Sequence, residues 1–471
     1  MLGLSSLGSR LAAAALAVSA FVAAAPSAEA FVGERVISPG GIEAWLVESH
    51  EVPVISVDFS FEGGSALDPE GKEGVAKFVS VMLDEGAADL DSRAFQAALT
   101  ANSISLGFGA GRDEFTGSLY TLSANRDLAF ALLAKALNEP RFDPEPMERM
   151  RAALLAGLRS DLTDPGAIAS RAWFAAAFPD HPYGRPPSGT IETVSAITAE
   201  DLHAFVESRF ARDNLVVGVV GDITAEELGP LLDLTFGGLP EHASPWALPD
   251  VEPQGRGELL LVEVPLPQTV FLFGHTGPVS RSPDYHPVNV VNRVIGGDGF
   301  SSRLYREIRE LRGLTYGVSS WLYGLEHTGL ILGSTSTVNE RAAETLQILR
   351  EQWALMGTEG PTPEEVEQAK LYINGSYAIR FSNTSAISSA LRTYQQLDLP
   401  PDYYHVRHEL VDAVTPEIAV ETARQWFNAD DLLIVAVGQP IGITPTRVAG
   451  DAMKAMIGLP EDGDQPAEAA E

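Results

Sequence analysis

The chain has 471 residues, enough for two domains with separate cores, and 45% of them are hydrophobic, as in an ordinary folded protein. With 64 Asp+Glu against 32 Lys+Arg the net charge is −32, which repels phosphate backbones and anionic lipid and argues against nucleic-acid or peripheral-membrane roles. There is no cysteine, which excludes thiol catalysis and disulfides.

The N-terminus reads as an export signal. Arg10 is followed by an apolar run from Leu11 to Ala25 and by a small-x-small site at Ala28-Glu29-Ala30. The run is too short for a spanning helix, which needs roughly 18 residues or more. Cleavage after Ala30 and a soluble periplasmic protein are expected.

Beyond it, Val54 to Phe61 alternates like a half-buried strand. Asn125 reads as the N-cap of a helix carrying Leu128, Leu132 and Leu133 on one face. A helix from Ala196 to Phe210 then precedes a buried strand, Asn214 to Gly221, that ends in a glycine turn. The pattern returns in the second half: Ala413 leads to Phe427, and Asp431 to Gly438 is the matching strand. Thr198 and Thr415, Phe210 and Phe427, and Gly221 and Gly438 share a single offset, which predicts a duplicated domain. Copies are expected over 31–238 and 258–448, with a Pro/Gly-rich linker over 239–257 and an acidic tail over 449–471. Helices and strands do not alternate regularly. The expected class is therefore α+β, each copy a mixed, mainly antiparallel sheet covered by helices.

In the second copy Ser301 or Ser302 follows a glycine loop and caps a helix with Leu304, Ile308 and Leu311 as its apolar stripe. Gly313 ends that helix and Thr315 starts a strand. His405 and His408 stand at i, i+3 on a predicted helix but lack a third metal ligand, so they read as a solvated face. Gly296-Gly297-Asp298-Gly299 has no P-loop lysine and misses the dinucleotide fingerprint.

Three segments resemble the insulinase-like (pitrilysin) zinc peptidases. Gly74-Val75-Ala76-Lys77-Phe78-Val79-Ser80-Val81-Met82-Leu83 resembles the family's G-x-A-H-F-L-E-H-M-L helix, in which two histidines hold zinc and the glutamate is the general base. Phe142 to Asp164-Pro165 resembles the helix bringing the last ligand, a glutamate whose place falls on Gly157. The run Gly296 to Ser320 resembles the second-half signature, with Arg309 and Tyr316 matching a paired arginine and tyrosine that contact substrate beside the zinc of the opposing domain. A weaker match is His181-Pro182-Tyr183-Gly184-Arg185-Pro186, in which His181 reads as a structural loop residue.

All four zinc-motif positions have changed here, to Lys77, Ser80, Val81 and Gly157. Zinc takes nitrogen, sulfur or carboxylate donors, usually three from the protein at a catalytic site. Val81 and Gly157 offer none, Ser80 is a poor ligand and no base, and the Lys77 ammonium repels a dication. No metal and no catalytic residue are expected in this chain alone. In the two-domain branch of the family, one chain brings the zinc helix and another can bring the Arg/Tyr pair. The resemblance thus implies the non-zinc subunit of a heterodimeric metallopeptidase, with zinc in the partner and a peptide or unfolded polypeptide as substrate. The alternative is a non-enzymatic binding or scaffold protein that kept the fold.

Overall fold

The computed structural model describes residues 31–297 and 300–459; the segment read as an export signal and residues 460–471 of the tail lie outside the described residues. The first half runs β1 (Glu34–Ile37), β2 (Glu43–Glu48), β3 (Val54–Glu62), α1 (Val75–Ser80), β4 (Gly86–Ala87), β5 (Leu90–Asp91), α2 (Ser92–Ala101), β6 (Ser105–Ala110), β7 (Glu114–Leu122), α3 (Arg126–Asn138), α4 (Pro144–Asp161), α5 (Pro165–Ala177), α6 (Ile191–Ala196), α7 (Ala199–Arg209), β8 (Leu215–Gly221) and α8 (Ala225–Phe236). The second runs β9 (Leu259–Glu263), β10 (Gln268–Thr276), α9 (Tyr285–Ile295), a π-helical turn (Tyr305–Glu310), β11 (Val318–Gly324), β12 (Gly329–Val338), α10 (Ala342–Glu359), α11 (Pro363–Tyr377), α12 (Thr384–Gln396), α13 (Tyr403–Asp412), α14 (Pro416–Trp426), β13 (Leu433–Gly438), β14 (Arg447–Val448) and α15 (Asp451–Met456).

The duplication is explicit in the topology. One sheet has the order β1-β2-β8-β3-β7-β6, and the other, read from its far edge, has β14-β9-β13-β10-β12-β11. In both, the strand after the long helical excursion returns to lie parallel to one neighbour (β8 on β2, β13 on β9) and antiparallel to the other (β3, β10). This is the mixed, mainly antiparallel sheet expected of an α+β fold. The repeated sequence positions carry repeated local roles. Thr198 and Thr415 accept N-terminal amides of α7 and α14, and Phe210 and Phe427 close those helices with buried rings. Gly221 and Gly438 take φ of 137° and 139°, where an L side chain is strained. A Cβ at Gly221 would lie 2.1 Å from the Val54 carbonyl oxygen.

The halves exchange a helix. α5, from the first half, lies on β10 and β13 of the second sheet, and α12, from the second, lies on β3 and β8 of the first. Each sheet is therefore covered on both faces. This revises the expectation for Val54 to Phe61, because β3 is buried on both sides apart from Asp58, which is half-buried, and Glu62. Ile55, Val57, Phe59 and Phe61 face the first half's own core. The alternating Ser56, Asp58 and Ser60 only look solvent-facing: Ser56 Oγ lies 2.7 Å from Thr384 Oγ1, and Arg392 of α12 donates to Asp58 and to Ser60. Their polarity is satisfied by a helix from the other half rather than by water.

Two further expectations change in detail, at Asn125 and its helix and in the tail. Asn125 stands at the N-cap of α3, but its side-chain amide donates to the Asn102 carbonyl; Leu132 and Leu133 are buried while Leu128 is exposed. Residues 237–258 contain neither helix nor strand. Residues 449–459, grouped with the tail on composition, fold as α15 and its flanks. Ile457 is buried there, and its carbonyl accepts from Arg171 of α5. The apolar Ala449, Ile457 and Leu459 that anchor this segment are masked by the acidic stretch after them.

Candidate functional site

α1 carries the segment that resembles the family's zinc helix, with Lys77 and Ser80 on it and Val81 at its end. Asp68, 3% exposed, caps it by accepting from the amides of Gly74 and Ala76 at 2.7 and 3.1 Å. Burial pushes the Asp68 carboxyl up to about 7, against those amides and the nearby Arg185 guanidinium. Arg185 ties down the 3-10 turn before the helix by donating to the carbonyls of Ala66 and Asp68. His181 is buried, accepts from the Tyr183 amide and faces the Pro249 carbonyl, so this loop is scaffolding.

Within that frame Ser80 is buried and bonded back to the Lys77 carbonyl at 2.7 Å, Lys77 is half-buried, and Val81 is the C-cap. Gly157 lies mid-α4 on an exposed face, and a Cβ built there meets nothing within 4 Å. These residues do not fit zinc: the four positions supply one hydroxyl and one ammonium. Among the described residues, no group of three or more His, Cys, Asp or Glu could hold a metal ion. His405 and His408 are both exposed on α13.

The second locus is built around Arg309. Ser302 opens the helix as its buried cap, and Gly313, at φ 61°, closes it by donating to the Arg309 carbonyl at 2.8 Å. The intervening turn is π-helical, with Leu311 N donating to Arg306 O. That extra residue moves the expected stripe out of phase. Leu304 and Ile308 stay buried, Leu311 becomes exposed, and Leu314 fills the core instead. The strand begins at Val318 rather than Thr315, leaving Tyr316 on a loop.

The same turn sorts the arginines. Arg303 pairs with Glu365, and Arg306 and Arg312 both pair with Glu307. Arg309 has no carboxylate partner among the described residues. Its guanidinium lies over Tyr305 and Phe300, 4.9 and 5.9 Å from the ring centroids, and lines a cleft of about 560 Å³ that includes Gly317, Ser319, Ser334 and Ser336. Tyr316, next to the Gly317 of that cleft, is 86% exposed, and Phe300, which lines the cleft, and Leu311 are also exposed. β11, which forms one wall, is a sheet edge. The arrangement offers two donors, a guanidinium and a phenol, beside a strand edge on which an extended peptide can pair.

The family model described as insulinase (peptidase family M16) matches residues 45–190, and that described as the peptidase M16 inactive domain matches 196–372. An uncharacterized zinc protease of Mycobacterium leprae is 28% identical over 401 residues, covering 84% of this chain and 89% of that protein. A non-peptidase homolog of Helicobacter pylori is 26% identical over 361 residues, covering 76% of this chain and 82% of that protein. A crystal structure described as the peptidase M16 inactive domain from Pseudomonas fluorescens superimposes with a TM-score of 0.82 at 28% identity, covering 88% of this chain and all of that one.

Proposed function

This chain belongs to the insulinase (M16) peptidase family, and we propose that it serves as the metal-free subunit of a heterodimeric peptidase in the periplasm. A zinc-bearing homologue supplies the metal and general base. This chain holds the peptide and donates to the carbonyl oxygen as negative charge develops on it. The observation that carries the reading is the isolation of Arg309, whose neighbours Arg303, Arg306 and Arg312 are all neutralised by carboxylates while its own charge faces a cleft. The exposed rim of Phe300, Leu311 and Tyr316 supports it as a surface for a partner. Without a partner, such apolar exposure has no compensating gain.

The test is co-expression with a zinc-bearing homologue, followed by sizing, metal analysis and cleavage of an unstructured peptide. A one-to-one complex with about one zinc, active only when both chains are present, is expected. Cleavage by this chain alone would overturn the reading. Failure to associate with any such homologue would favour a scaffold that kept the fold.

A further inference from the structure

The internal duplication maps the abandoned metal frame onto the second half. Buried Ala76, Phe78, Val79, Met82 and Leu83 fall on Val288, Val290, Val291, Val294 and Ile295 of α9, every one of them also buried. That register places Lys77, Ser80 and Val81 on Asn289, Asn292 and Arg293. Between α4 and α11, Met147 and Leu158 fall on Val366 and Tyr377, again buried in both, and Gly157 falls on Ser376. All four counterparts (Asn289, Asn292, Arg293 and Ser376) line one cleft of about 460 Å³ between α9, α11, α12 and α13. The second half thus holds an open, polar cavity at the position where the first half lost its site.

Its electrostatics are opposite to those of the molecule. In a chain with 64 acidic residues, no Asp or Glu among the described residues lines this cleft, whereas Arg293, Arg380 and Arg407 do. Arg407 is the anchor. It is 9% exposed, its Cζ lies 3.9 Å from the Tyr377 ring centroid, and its Nη1 is buried with no hydrogen-bond partner among the described residues. Burial and the like charge of Arg380 both press its pKa below the usual guanidinium value, against the pull of Tyr377 and Tyr403. His286 adds a second orphan: its Nε2 meets Tyr403 Oη at 2.9 Å, but its buried Nδ1 has no hydrogen-bond partner among the described residues. A buried guanidinium without a counter-anion is costly. Tyrosine hydroxyls complete the wall, Tyr377 and Tyr394 being joined at 2.5 Å.

We propose that this cleft is an oxyanion-binding site, taking a ligand that bears a carboxylate or a phosphate, with Arg407 as its buried donor and Arg380 at its rim. The volume suits a small molecule or the last residues of a peptide. The site needs no metal and no partner chain, so it stands apart from the subunit reading.

The test is isothermal titration calorimetry on the mature chain with three probes: inorganic phosphate, an acetylated tripeptide with a free C-terminal carboxylate, and the same tripeptide as its amide. Saturable binding of phosphate or of the free-carboxylate peptide is expected, with at least tenfold weaker affinity in Arg407→Met and in Arg380→Gln. Arg380 is exposed, so its variant keeps the test valid if Arg407→Met does not fold. Phosphate binding alone marks a phosphate ligand, and preference for the acid over the amide marks a carboxylate; either supports the site. No binding by wild type, or affinity unchanged in Arg380→Gln, overturns it.

Discussion

Arg392 and Asp58 join the two halves: Nε of Arg392, on α12, lies 2.6 Å from Oδ1 of Asp58, on β3, and the same guanidinium reaches Glu114 at 2.5 Å. The arginine is 9% exposed. Burial pushes the Asp58 carboxyl up, and Arg392 counters it. Removing the cation would strand two largely buried carboxylates. Arg392→Met is expected to destabilise the chain by about 3–5 kcal/mol in urea unfolding. Adding Asp58→Asn and Glu114→Gln should recover most of that. A loss below about 1 kcal/mol would mean the ion pair does not hold the halves together.

The exchange of α5 and α12 predicts that neither half is stable alone. Without the second half, the first exposes Trp45, Val220 and Phe31, which pack on Leu391, Tyr394 and Tyr403. Expressed as 31–238, it should aggregate or bind an apolar dye such as ANS. Co-expressed with 239–459, it should be recovered in a soluble complex. A soluble, cooperatively melting 31–238 fragment would show that α12 is not needed to cover the sheet.

Legibility in the sequence follows the same line. The duplicated Thr, Phe and Gly positions could be read because each performs a local task, a cap or a left-handed turn, that needs a particular residue type. Ser56, Asp58 and Ser60 misled because period-two alternation reports polarity, whereas their burial depends on a helix more than 300 residues later. Leu311 misled because a π turn shifts phase by one residue, and no spacing rule announces it. On α13 the eye goes to His405 and His408, which are solvated. The residue facing the cavity is Arg407 between them, and the only advance signal was a concentration of tyrosine and arginine from Tyr372 to Arg407.

Gly157 is a conspicuous weakness in α4. It is exposed, mid-helix and surrounded by open space. Gly157→Ala should stabilise the chain by about 0.5–1 kcal/mol by restricting the unfolded backbone and restoring helix propensity. It should leave metal content and association with a zinc-bearing homologue unaltered. A destabilising effect would show that position 157 makes a contact in solution that the structure lacks.

At the Arg309 cleft, the complex with a zinc-bearing homologue should lose at least tenfold in kcat/KM on Arg309→Ala, equivalent to about 1.4 kcal/mol or more of transition-state binding. Tyr316→Phe removes only a hydroxyl and should show a smaller loss, mainly in kcat if the phenol serves the developing oxyanion. Tyr316 is 86% exposed, so Tyr316→Phe should leave folding intact. Unchanged kinetics in both variants would remove the pair from any role in the reaction.

His286 gives the cleft between α9 and α13 a measurable pH signature. Burial, aided by the Arg407 charge, lowers its pKa from 6.5 to about 4. The unfolded chain therefore takes up a proton between pH 6.5 and 4 that the native chain refuses. The stability tied to this residue is fully present above pH 6.5 and is lost as pH falls towards 4. His286→Gln removes the titration while keeping an amide beside Tyr403. The difference in unfolding free energy between wild type and variant should fall by on the order of 1–2 kcal/mol across that window, allowing for the ring's partial exposure. Parallel pH profiles would mean that His286 titrates normally in the native state. Saturating phosphate or peptide carboxylate at Arg407 should narrow the window, because an anion beside the ring favours the imidazolium that the empty cleft disfavours.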